Sequence, residues 1–126
     1  MLTALLVTTG LLMGTMLLFG WVFLKHPPKD INYVYGYRTS RSTRNINTWR
    51  FAHKTAGRIW MKSGIIGTLV SLMIILLFYY FGDLETLFYF LYIPQLFLLL
   101  MVIPLTEREL KRTFDDDGSR IDERKH

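Results

Sequence analysis

"SGIIGTLVSLMIILLFYYFG", residues 63–82, holds twenty consecutive residues without a charge or a proline. A hydrocarbon core about 30 Å thick needs about 20 such residues to be crossed by a helix. A backbone in lipid has to satisfy its own hydrogen bonds, which selects helix over an isolated strand. Two further uncharged runs, Met1 to Leu24 and Thr86 to Thr106, are at least as long. The fold class that follows is an all-α membrane protein. It has three transmembrane helices at about residues 2–24, 61–82 and 85–106, and a basic loop, 25–60, that continues into helix two. The first run has no basic leader, exceeds the usual apolar region of about 7–15 residues and lacks a small-x-small site, so it reads as a retained helix rather than a cleaved signal.

Charge placement orients the chain. Lys25, Lys29, Arg38, Arg41, Arg44, Arg50, Lys54 and Arg58 face a single acid, Asp30, across the long loop. The connection after residue 82 carries Asp83 and Glu85 and no base, while Arg108, Lys111 and Arg112 follow the third run. The positive-inside rule then places the loop and the C-terminal tail in the cytoplasm and the N-terminus and the acidic turn outside. The expected arrangement is a multipass membrane protein.

Pro27-Pro28 cannot continue a helix and should end the first one. Residues 29–44 read as irregular, with Asn45 or Asn47 as the N-cap of helix two. At its start Arg50, Lys54, Arg58 and Lys62 recur every four residues as a basic stripe, and Trp49, His53, Ala56 and Trp60 share another face. Such a segment suits a membrane interface, with the indoles at headgroup depth. Deeper, Ser63, Gly67 and Ser71 form one small-residue ridge and Gly64 and Thr68 another, with Gly10 and Gly14 as the expected matching groove on helix one. Pro94 should kink helix three, and Gln95 beside it reads best as a hydrogen bond to a neighbouring helix. Residues 1–112 form the membrane domain, and 113–126, polar and of mixed charge, read as a disordered cytoplasmic tail.

The chain contains no cysteine, which removes disulfides and thiolate metal sites. His53 is the one histidine in a structured position, and no second histidine lies at a zinc-ligand spacing. The acidic run Asp115-Asp116-Asp117-Gly118 lacks the alternate spacing of a calcium loop. No catalytic set, cofactor or metal is therefore expected. Orientation alone explains the sign of the loop's charge, but not Tyr33, Tyr35, Tyr37, Trp49, Phe51 and Trp60 interleaved with it. Nucleic acid would suit aromatic-basic interleaving, but a loop tethered at a bilayer argues against it.

"PPKDINYVYGYRTSRSTRNINTWRFAHKTAGRIW", residues 27–60, resembles the signature of the SdpI family, bacterial membrane proteins named for immunity to the sporulation-delaying-protein toxin. The matching positions are Pro27-Pro28, Ile31-Asn32, Gly36-Tyr37-Arg38-Thr39, Arg41-Ser42, Asn45, Trp49, Ala52-His53-Lys54 and Gly57, with Ser40 where many members carry proline. The resemblance implies protection against a secreted, membrane-active peptide toxin. In some relatives it also implies signalling, with a transcriptional repressor held at the membrane; longer members carry a further N-terminal membrane half that is not in this sequence. From the residues themselves, the mechanism expected is capture of an anion, a phospholipid headgroup or an acidic partner segment, by Arg38, Thr39, Arg41, Ser42, Arg44, Asn45, Trp49, His53 and Lys54. The partners expected are membrane lipids, an anionic phospholipid among them, the peptide toxin, and a repressor or a second copy of the chain. The rival is a small lipid-modifying enzyme with His53 as general acid and base.

Overall fold

The computed structural model describes residues 1–121. It is all-helical in its named elements: α1 (Leu2–Lys25), α2 (Ile46–Phe81), α3 (Leu84–Leu100) and α4 (Val102–Thr113). Three helices are long and apolar enough to cross a membrane, Leu2–Lys25, Ile46–Phe81 and the α3–α4 unit Leu84–Thr113. At 1.5 Å per residue α2 is roughly 54 Å long, well beyond a hydrocarbon core of about 30 Å. Its surplus is the N-terminal segment that carries Arg50, Lys54, Arg58 and Lys62, all four exposed.

Asn45 starts α2. Its side-chain oxygen accepts from the Thr48 N–H, and the Thr48 hydroxyl oxygen accepts from the Asn45 N–H, a reciprocal capping box. At the other end, the Asp83 carboxylate accepts from the Glu85 N–H and the Thr86 hydroxyl and starts α3. Pro94 lies inside α3 without interrupting it. The interruption falls at Met101 instead, where Pro104 supplies no N–H for the Leu100 carbonyl four residues back.

Helix α1 packs along α2 where small residues let the backbones approach. A Cβ on Gly20 would lie 2.9 Å from the Met61 nitrogen and 3.2 Å from the Gly57 oxygen. Gly64 is filled by Leu17, and Gly67 by Met13 and Leu98. The groove expected at Gly10 and Gly14 is not there: nothing lies within 4 Å of a Cβ at either position. Both glycines sit on the right helix but on a face that no other element covers.

Two apolar clusters close the bundle. Leu5, Ile75, Leu87 and Leu91 fill the end near the Asp83 turn. Phe23, Tyr37, Ala52, Ala56, Val102, Leu110 and Phe114 fill the end where the motif lies. Between them Gln95, buried, donates to Thr9 Oγ1 at 2.9 Å and Ser71 Oγ at 3.0 Å. One amide thus ties three helices, as its polarity at depth predicts.

Residues 114–121 depart from the expected disordered tail. Phe114 is buried with its ring edge against Phe51, and it bridges to Arg120, whose guanidinium lies over the Phe114 ring. Asn45 Nδ2 donates to the Gly118 carbonyl at 2.9 Å, and Arg41 pairs with Asp116 at 2.9 Å. Phe114 and Gly118 in a polar stretch provide the apolar anchor and the positive-φ turn (φ +88°) that composition averaged away. Residues 122–126 of the expected tail lie outside the described residues.

Candidate functional site

The motif folds into a plug against the end of the bundle. Gly36 has φ +117°, a conformation that favours glycine, and a Cβ there would lie 2.7 Å from His53 Nε2 and 3.1 Å from Trp49 and Pro28 carbons. This close approach brings the Tyr37 N–H to His53 Nε2 at 2.9 Å. His53 Nδ1 lies 2.8 Å from the Trp49 carbonyl, one turn earlier on α2. A backbone N–H can only donate and a carbonyl can only accept, so His53 is neutral with its proton on Nδ1. The ring is fully buried, 4.8 Å from the Phe23 ring and 4.3 Å from the Trp49 ring.

Trp49 is also 0 % exposed, and its indole N–H donates to the Pro28 carbonyl at 2.8 Å. It is the centre of the plug rather than an indole at headgroup depth. The spacing of aromatics placed it on the correct face of α2, but periodicity does not say whether lipid or another segment covers a face. Trp60, half-buried, donates from its own N–H to the Leu99 carbonyl and stacks on Phe23.

The polar residues of the turn close on one another. The Ser42 hydroxyl donates to the Tyr37 carbonyl and accepts from the Thr39 N–H, and Thr39 Oγ1 accepts from the Ser42 N–H. The Thr43 hydroxyl donates to the Thr39 carbonyl and the Thr48 hydroxyl to the Ser42 carbonyl. The turn is thereby closed with Ser40, not proline, at its exposed corner. Glu107, in α4, accepts from the Tyr37 hydroxyl at 2.8 Å and from the Thr39 hydroxyl at 2.7 Å. Burial, and then the Glu107 carboxylate, push the Tyr37 phenol above its ordinary value, so it remains a donor. Glu107 was missed because its partners lie some seventy residues away in sequence.

The nine residues expected to hold an anion therefore divide. Thr39, Ser42, Asn45, Trp49 and His53 are bonded inward and build the plug. Arg41 is paired with Asp116. Arg38, Arg44 and Lys54 are exposed and make no ion pair among the described residues, as are Arg50 and Arg58. The Arg38 guanidinium lies 4.9 Å over the Tyr33 ring. Beside it runs an apolar groove of ≈ 450 Å³, walled by Phe19 and Phe23 of α1, Trp60 of α2 and Leu100 and Ile103 at the α3–α4 junction. Among the described residues no three His, Asp or Glu side chains gather as a metal site.

The family model described as the SdpI/YfhL protein family matches residues 29–106, which span the plug, α2, α3 and the first part of α4. The uncharacterized protein YfhL of Bacillus subtilis (strain 168) is 37% identical over 59 residues, covering 46% of this chain and 54% of that protein. The chain thus spans about half the length of the curated relative it matches. No solved structure matches it.

Proposed function

The chain belongs to the SdpI/YfhL protein family, and on that premise we propose that it is a bacterial plasma-membrane immunity protein. It protects its cell against a secreted, membrane-active peptide by capturing an anion at the motif face. Its N-terminus and the Asp83 turn lie outside, and the plug and C-terminus lie in the cytoplasm, in keeping with the charge asymmetry.

The observation that carries the mechanism is the division of the motif. Its hydroxyls, amide, indole and imidazole are consumed inside, which leaves Arg38 and Arg44, with Lys54 on α2, as unpaired cations on the surface. Guanidinium forks suit a phosphate or carboxylate, which they meet with two parallel hydrogen bonds. Both ring nitrogens of His53 are engaged, so it presents no proton acceptor to a substrate, and this favours capture over acid–base lipid chemistry.

Expression in a susceptible strain that lacks its own family member should raise survival against the sporulation-delaying-protein toxin. The double substitution Arg38→Lys and Arg44→Lys keeps the charge but loses the forks, and should remove most of that protection at equal membrane level. No protection from the parent chain would end the immunity reading; full protection from the double lysine variant would end the anion mechanism.

A further inference from the structure

The groove beside Arg38 has a shape that selects its occupant. Its wall on α1 runs from Thr15 to Phe23, a rise of roughly 12 Å at 1.5 Å per residue. Phe19, Leu100 and Ile103 at its edges are partly exposed, so the groove opens sideways between α1 and the α3–α4 junction, with Trp60 as its floor. Its one end is polar, closed by Gly36, Tyr37, Arg38 and Thr39. The ≈ 450 Å³ falls within the roughly 300–1,000 Å³ range of small-molecule sites.

A helical peptide, about 10–12 Å across, would seat only one face in a groove that opens sideways and would leave the rest of its girth outside. An extended peptide fits in width but leaves unpaired N–H and C=O groups against an apolar wall, at several kcal/mol each. A hydrocarbon chain has neither defect. At the polar end the Arg38 guanidinium donates to the Tyr33 carbonyl at 3.5 Å and lies over the Tyr33 ring, but no carboxylate pairs with it among the described residues, so its charge is open to an anionic ligand.

We propose that the groove seats one acyl chain of an anionic phospholipid, whose phosphate is held by Arg38 at the edge of the plug. This rests on the anion-capture reading and gives the anion a source, the surrounding bilayer. It also separates two jobs among the cations: Arg38 serves the groove, while Arg44, Arg50 and Lys54 lie away from it.

The test is native mass spectrometry of the full chain in mild detergent, titrated with phosphatidylglycerol, with zwitterionic phosphatidylcholine, and with glycerol phosphate as a headgroup without a chain. The parent should retain one phosphatidylglycerol in preference to phosphatidylcholine and should hold no glycerol phosphate. Arg38→Gln, at an exposed position, should weaken phosphatidylglycerol about tenfold or more and bring the two lipids level. Ile103→Trp, which fills the groove from its rim, should reduce both lipids, while Arg44→Gln should change neither. Equal retention of the two lipids by the parent would overturn the proposal. So would phosphatidylglycerol retention that survives both Arg38→Gln and Ile103→Trp, or a co-purifying peptide or second copy displaced by Ile103→Trp. The measurement involves no toxin: lipid retained without protection removes the immunity reading alone, and protection without retained lipid removes the seat alone.

Discussion

Gly36→Ala probes the plug at its tightest point. Alanine at φ +117° is strained by about 1–3 kcal/mol. Its methyl would also lie 2.7 Å from His53 Nε2 and 3.1 Å from Pro28 and Trp49 carbons, in a region where His53 and Trp49 are 0 % exposed. Overpacking of that kind costs about 1–3 kcal/mol more. The substitution should therefore favour an opened plug by roughly 2–6 kcal/mol in total. A suitable reporter is Ala52→Cys, since Ala52 is fully buried in the plug's apolar cluster and the chain has no cysteine of its own. When opening and closing are fast, thiol labelling tracks the open population, and 2 kcal/mol gives about a 30-fold faster reaction. Gly10→Ala in the same background is the matched control. Nothing lies within 4 Å of its methyl, and alanine in a helix is favoured over glycine by about 0.5–1 kcal/mol, so labelling should not accelerate. Labelling of the Gly36→Ala protein within threefold of its parent would refute the geometry of the His53 contact.

Two other predictions follow from the placement of the ends. With a cytoplasmic plug, Glu85→Cys should react with an impermeant thiol reagent in intact cells, and Thr43→Cys should react only after the membrane is opened; the reverse pattern would invert the orientation. Truncation after Arg112 removes Phe114, whose burial is worth about 1.5–3 kcal/mol, together with the Asn45–Gly118 bond. The truncated chain should still insert but label about tenfold faster or more at Ala52→Cys, whereas an unchanged rate would return the tail to the role of a passive extension.

Features carried by local chemistry were legible in the sequence, and those carried by distant partners were not. The three apolar runs, the Asn45 cap, the exposed basic stripe of α2 and the tie made by Gln95 each follow from composition or spacing within one segment. The break at Met101 was legible too, from Pro104, but Pro94 drew attention as the proline nearer mid-helix. By contrast, Gly20 on α1, which receives a neighbour, looks no different in sequence from Gly10 and Gly14, which receive none. Helical periodicity assigns a face but not its cover, and the same limit made Trp49 look like an interface residue. The tail was misjudged because a single Phe114 in a charged stretch scarcely moves an average, though one buried ring is enough to dock a short hairpin.

The composition of the motif has a physical explanation that does not depend on ligand binding. A connecting segment folded at the edge of a bilayer and packed against apolar helices cannot leave its N–H and C=O groups to water, so it must bring its own partners. Here the Pro28, Tyr37, Thr39, Ser42 and Trp49 carbonyls and the Tyr37, Thr39 and Ser42 amides are met by Trp49, Ser42, Thr43, Thr48, His53 and Thr39 side chains. Most of the motif's small polar residues are thus accounted for by the plug's own closure. The cations on the outside are not: Arg38 touches only the exposed Tyr33, Arg38 and Arg44 make no ion pair among the described residues, and exposed charge of that kind adds little to stability. Substitutions in the motif should therefore separate into inward ones that lower the amount of folded protein and outward ones that lower protection at constant amount. The second group is where the chemistry of function has to be sought.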